Sequence, residues 1–174
     1  MKTNRQLVDA IRRLASPLRP RPPQPRLPER LPDLSTVKAV LFDVYGTLIQ
    51  SGCGDIGVRN GNTSDQAQFF EDTLAATGIS IQSESAAKTG IKFFTDTIKQ
   101  THTKAHRSGV DCPEINIINI WFAVFAKLLE KKLISTSITE IKIRHVAVEF
   151  ENRINPVWPM PGWDECLTAL RRAN

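Results

Sequence analysis

The chain predicts an α/β fold with an incomplete sheet, and three observations carry that prediction. The run VKAVLFDVYGTL at residues 37–48 is apolar and rich in β-branched residues, as a strand covered on both faces of a parallel sheet should be. Roughly a hundred residues of helical period follow it. The last segment, residues 163–172, reads as a helix leading toward a second strand that the sequence does not supply. A parallel strand needs a neighbour reached by a right-handed crossover, because an isolated one leaves its backbone groups unpaired. The sequence therefore reads as the N-terminal part of a larger α/β domain, or as one whose sheet is completed from outside these residues.

In chain order, residues 4–15 place Leu7, Val8, Ile11 and Leu14 on one face of a short helix. Seven of the eleven prolines then fall between Pro17 and Pro32, which excludes helix and central strand and predicts an extended linker. Residues 1–36 thus form a basic Pro/Arg-rich arm, and residues 37–60 the strand with a glycine-punctuated loop. Residues 61–155 hold four helices. Ser64 is placed to cap the first, which carries Ala67, Phe70 and Leu74 and stops at Gly78. Ser83 is placed to cap the second, with Ala87, Ile91, Phe94 and Ile98 before Gly109. The third opens near Pro113 and Glu114 and carries Ile118, Trp121, Phe122, Phe125, Leu128 and Leu129 as a broad apolar stripe. The fourth opens on the capping box from Ser137 to Glu140 and runs toward Asn155. Residues 156–174 are a proline-set return and a final helix with Cys166, Leu167 and Leu170 apolar.

A chain of 174 residues fits one ordinary domain and has no run approaching the about 20 apolar residues of a membrane span. The net charge of +5 is local: residues 1–30 hold eight Lys/Arg against two acids, which leaves fifteen against sixteen in the remainder. Prolines rather than aromatic residues are interleaved with that charge, so there is no specific nucleic-acid signal. Cys53, Cys112 and Cys166 are widely spaced and odd in number, and no apolar signal region opens the chain, which together predict a cytoplasmic protein.

Asp43 sits at the carboxyl end of the predicted strand, where open α/β sheets bind their ligands. The turn through Gly46 can gather backbone N–H groups round an anion, and a carboxylate there can act as a covalent nucleophile. On periodicity alone, a strand ending in a polar turn explains the pattern equally well.

The residues Val40-Leu41-Phe42-Asp43-Val44-Tyr45-Gly46-Thr47-Leu48 resemble the first motif of the haloacid dehalogenase (HAD) superfamily, four apolar residues followed by Asp-x-(Asp or Tyr)-Gly-Thr. The glycine-rich loop at 51–57 resembles that family's flap, the four helices its inserted cap, and residues 155–170 the return toward its second motif. The resemblance covers residues 37–174. It implies a Rossmann-like core, represented by its first strand and one helix, with a helical cap. It also implies that Asp43 is the nucleophile, forming an aspartyl ester that water hydrolyses, while Thr47 braces the loop. In phosphatase members Mg²⁺ would be held by Asp43 and the main-chain carbonyl of Tyr45. Gly46 would meet the substrate; Asp55 and Arg59, on or just after the flap, could contact it too or equally be exposed loop charges without a role.

Two departures shape the expectation. Tyr45 stands where phosphatases of the family commonly carry a second acid, and a phenol with a pKa of about 10 is a poor general base. Asp-x-Tyr-Gly-Thr is the pattern of 2-haloacid dehalogenases, which work without a metal. The substrate is therefore a small phosphate ester, with Mg²⁺, or a 2-haloacid, with no cofactor. The later motifs of the family, a Ser or Thr, a Lys and an acidic cluster, find no match; LISTS at 133–137 is too short an apolar run and overlaps a capping box. The 174-residue chain is accordingly expected to be inactive alone, with self-association open to it through the unpaired sheet edge. The rival reading is a complete non-catalytic helical binding module in which Asp43 is a relic.

Outside the motif, His102 and His106 at i, i+4 read as a solvated face, and His145 as a packing residue. Trp121, Phe122 and Phe125 read as cap core, and Trp158 and Trp163 as packing of the return.

Overall fold

The computed structural model describes residues 2–14, 37–51 and 63–172. These are mostly helical, with six helices and one two-stranded antiparallel sheet: α1 (Lys2–Leu14), β1 (Ile49–Ser51), α2 (Thr63–Ala76), α3 (Ala86–Arg107), α4 (Ile117–Glu130), α5 (Glu140–Ile154), β2 (Val157–Pro159) and α6 (Trp163–Arg172). The Pro/Arg-rich segment and the glycine-rich loop, with Asp55 and Arg59, lie outside the described residues.

Helices α2 to α5 are the four expected from the sequence, and each packs on two others of the set, α3 between α2 and α4, α5 between α4 and α2. Their apolar stripes meet in one aromatic centre. The Trp121 ring stacks on Phe94 at 4.5 Å and on Phe70 at 5.3 Å, and the Phe150 ring meets it edge-on at 5.1 Å. Leu74, Ile91, Val124, Phe125, Leu128, Ile143 and Val146 close round them. The two connecting loops are tied together: Gln82 N–H donates to Leu133 O at 2.9 Å, Ser135 N–H to Ser80 O at 3.1 Å, and Ile81 bridges Ile134. Residues 133–137 are thus a loop, paired with another loop.

The helix ends differ from expectation by a few residues. Asn116, not the Pro113 region, caps α4, its side chain accepting from Ile118 N and Asn119 N. Thr139 rather than Ser137 caps α5, accepting from Lys142 N. Ser83 does not cap α3 directly: Ser85 is the cap residue, and Ser83 Oγ accepts from Ser85 N at 3.3 Å. Ser64 falls inside α2. At α4 and α5 a polar residue nearer the apolar stripe takes the end, since the capped N–H groups are those of the next three residues. Gly78 ends α2 as expected, at φ 65°, with Ile79 N–H returning to Leu74 O at 2.9 Å.

The expected first strand is the main correction. Residues 37–43 form neither strand nor helix, and Leu41 is 98 % exposed and Val40 50 %. Asp43 therefore does not sit at the end of a strand. The physical reason is the absence, among the described residues, of any strand to pair with this run: β-branched content favours a pleated, covered surface but cannot substitute for a ladder partner. The closing helix α6 tells the same story, with no buried residue and with Trp163, Cys166 and Leu170 exposed.

Gly90 in mid-α3 allows a sharp test of the core. Helix propensity alone would favour Gly90→Ala by about 1 kcal/mol. A Cβ at this position, however, would lie 2.3 Å from Phe70 Cε1, and that ring is fixed by Trp121, Phe125 and Phe150. Overpacking wins, and the expected result is a net loss of about 1–3 kcal/mol in urea unfolding; a stabilised variant would mean that the Phe70 ring can move.

Candidate active site

The segment carrying Asp43 folds as a tight turn held by its own backbone. Gly46 adopts φ 84°, a left-handed conformation that favours glycine, and its N–H donates to Ile49 O at 2.7 Å. Leu48 N–H and Ile49 N–H both reach Val44 O at 2.9 Å. Three N–H groups of the turn, those of Gly46, Leu48 and Ile49, thus close it, and Gly46 serves its geometry. Thr47 Oγ1 donates to Asp43 Oδ2 at 3.5 Å, a long contact between two exposed side chains.

The turn is fixed to the return segment. β1 pairs with β2 in the register Ile49 to Pro159, Gln50 to Trp158 and Ser51 to Val157, and Met160 N–H donates to Leu48 O at 2.9 Å. Ser51 Oγ donates to Asn155 Oδ1 at 2.7 Å, tying β1 to the end of α5. Chain entry to and exit from the helical domain are therefore side by side. Phe42, Thr47, Met160, Trp163 and Leu167 line a shallow depression of about 190 Å³ between the turn and α6.

Tyr45 does not point at the same surroundings. It lines a larger cavity of about 340 Å³ on the helical domain, whose apolar walls include Leu7 of α1, Phe94 of α3, and Ile118 and Trp121 of α4. The polar groups at this cavity are Tyr45 and three residues of α5: Arg144, Glu151 and Asn152. Arg144 is engaged with Glu140, donating from Nε at 3.0 Å and Nη2 at 2.7 Å, and Asn152 Nδ2 donates to Val148 O at 2.8 Å. Glu151 accepts from Asn155 Nδ2 at 3.0 Å. Burial pushes the Glu151 carboxyl above the usual carboxylate range, with the Asn155 bond pulling it partly back. Burial and then the Glu151 charge raise the Tyr45 phenol above its ordinary value. Tyr45 is consequently a neutral hydrogen-bonding group near pH 7 and not a base.

The residues expected from the sequence divide two ways, and a third group was not expected. Asp43, Tyr45, Gly46 and Thr47 lie together on the turn; Asp55 and Arg59 lie outside the described residues; and Glu151, Arg144 and Asn152 form the polar side of the cavity without having been singled out by any motif. Among the described residues no group of three or more His, Cys, Asp or Glu side chains gathers to hold a metal ion. The rings of His102 and His106 stand 6.5 Å apart on α3, and His145 Nε2 lies 3.5 Å from the buried Glu149 carboxylate. No helix among the described residues is long and apolar enough to cross a membrane.

No protein-family model, curated protein or solved structure matches this chain.

Proposed function

We propose that Asp43 is the nucleophile of a HAD-type hydrolase whose Rossmann-like core begins with residues 37–48 and whose cap is the α2–α5 bundle. The observation that carries this reading is the Asp43-x-Tyr45-Gly46-Thr47 turn itself. Its aspartate is exposed, Thr47 bonds to it, and the adjacent Tyr45 faces a cavity on the helical domain. Asp43 would attack the phosphorus of a phosphate ester, or the carbon bearing the halogen of a 2-haloacid. The alkoxide or halide departs with the bonding electrons, and water then cleaves the aspartyl ester to restore the carboxylate. An alkoxide needs a proton as it leaves, and a Tyr45 phenol with a raised pKa is a weak source of one; halide needs none.

The Asp43 carboxylate and main-chain oxygens near it are donors of the kind Mg²⁺ takes, and the ion would supply charge neutralisation to the phosphatase reaction. Among the described residues no group of three or more His, Cys, Asp or Glu side chains gathers round such a site.

The test uses the protein purified from its source cells, so that any residues beyond these accompany it. Phosphate release that stops with chelator marks a phosphatase, and halide release indifferent to chelator marks a dehalogenase. In either case Asp43→Asn is expected to remove turnover, and activity surviving that substitution overturns the reading. A second reading, a non-catalytic helical binding module, is favoured by the closed aromatic core of α2–α5 and by the exposure of residues 37–41. Its mark would be a source-cell protein that turns over neither substrate class.

A further inference from the structure

We propose that the cavity behind Tyr45 binds a small cationic amine with an apolar body, with Glu151 as the counter-ion of the ammonium group. The cavity, about 340 Å³, falls in the size range of small-molecule sites and has the composition of one, apolar walls with a few convergent polar groups. The sign of the expected ligand follows from an account of charge at its edge. Arg144 is the only cationic side chain among the described lining residues, and both its Nε and Nη2 are engaged by Glu140. Glu151 forms no ion pair among the described residues and receives one hydrogen bond, from the neutral Asn155 amide. A carboxylate has about four acceptor positions, so Glu151 keeps capacity for an ammonium donor.

The surroundings favour a cation over a neutral ligand. Phe94, Trp121 and Phe150 belong to the closed ring cluster and give the cavity an apolar floor for the ligand's body, so that the charged ammonium group is left to the Glu151 edge. The Tyr45 oxygen can accept from the same group while its ring covers the apolar part of the ligand. Burial without a cation explains why the Glu151 carboxyl titrates high, and an ammonium partner would supply the missing opposite charge. An anionic ligand would have to displace Glu140 from Arg144 and then meet Glu151.

This inference does not rest on the hydrolase reading, because binding can be followed without turnover and in the Asp43→Asn variant. The 174-residue chain is titrated at low salt with 2-phenylethylamine, 2-phenylethanol and 3-phenylpropanoate, three probes of similar body differing in charge, by ligand-observed NMR. The amine is expected to bind about tenfold tighter than the alcohol, because both can donate to the Glu151 carboxylate but only the ammonium brings the opposite charge, and tighter still than the acid. Glu151→Gln, which keeps an acceptor for Asn155 Nδ2, is expected to remove that preference by weakening the amine far more than the alcohol. An amine preference below about fivefold, tighter binding of the acid, no binding of any probe, or an amine preference that survives Glu151→Gln overturns the proposal. If Glu151→Gln fails to fold, the three-probe series on the unsubstituted chain decides it alone.

Discussion

Trp121→Ala is expected to destabilise the helical domain by about 3–5 kcal/mol, the upper range for truncating a core aromatic. The indole is buried and in ring contact with four neighbours: Phe70, Phe94, Phe125 and Phe150, drawn from three other turns of sequence on α2, α3 and α5 as well as from α4 itself. Two of these contacts are stacks and one is edge-on, geometries that add to simple burial. No neighbour can swing in to fill the void, because each ring is itself wedged against another: Phe70 on Phe125 and Phe150, Phe94 on Phe150. Domains of ordinary stability have only about 5–15 kcal/mol in hand, so the variant should populate unfolded chain in mild urea, read by loss of helical circular dichroism. The adjacent Phe122 is the control. It is 39 % exposed, and Phe122→Ala should shift the urea transition by about 1 kcal/mol or less. Equal losses at the two positions would mean that the ring cluster does not hold the bundle together.

The helical domain was the most legible part of the sequence because its information is local. A stripe such as Ile118, Trp121, Phe125 and Leu128 states a helix, its buried face and its need for partners within a dozen residues, and a glycine such as Gly78 states its end. Helix starts were read less well, since serine, threonine and asparagine cluster there and several can cap; Thr139 and Asn116 won over Ser137 and Pro113 by lying next to the first turn. The run at 37–43 was read as a strand because its composition asks for burial on two faces. Pairing is a non-local property, and no strand among the described residues offers it.

The candidate site shows the same division. Asp43, Tyr45, Gly46 and Thr47 are contiguous and form a motif, so they could be named from the sequence. Glu151, Arg144 and Asn152 come to Tyr45 only through packing of α5 beside the turn, which the Ser51–Asn155 bond and the β1–β2 pairing hold in place. Nothing in the residues around Glu151 separates it from an exposed helix glutamate. For Glu149 a local signal did exist: it lies at i+3 from the core residue Val146, with His145 four residues before it and Arg153 four after, the spacing at which side chains on one helix meet.

Glu149→Ala is the second large effect expected, a loss of about 3–5 kcal/mol, because it leaves a buried cation without its counter-charge. The Glu149 side chain is fully buried, and its two oxygens are bonded by Arg153 of the same helix and by Arg13 of α1, with His145 alongside. The two arginines are not equivalent. Arg13 is 54 % exposed and can turn to water, so Arg13→Ala should cost about 1 kcal/mol or less and act chiefly by loosening α1, seen as faster amide exchange in residues 2–14. Arg153 is only 12 % exposed and has nowhere else to place its charge. The discriminating variant is therefore Glu149→Leu with Arg153→Met, which removes both charges and keeps apolar volume. It is expected to recover most of the loss caused by Glu149→Ala, since desolvation of a buried pair offsets much of its attraction. If the double variant is as unstable as Glu149→Ala, the ion pair itself, and not the stranded arginine, is what stabilises α5, and Glu149 acts by attraction rather than by compensating a charge that burial has trapped.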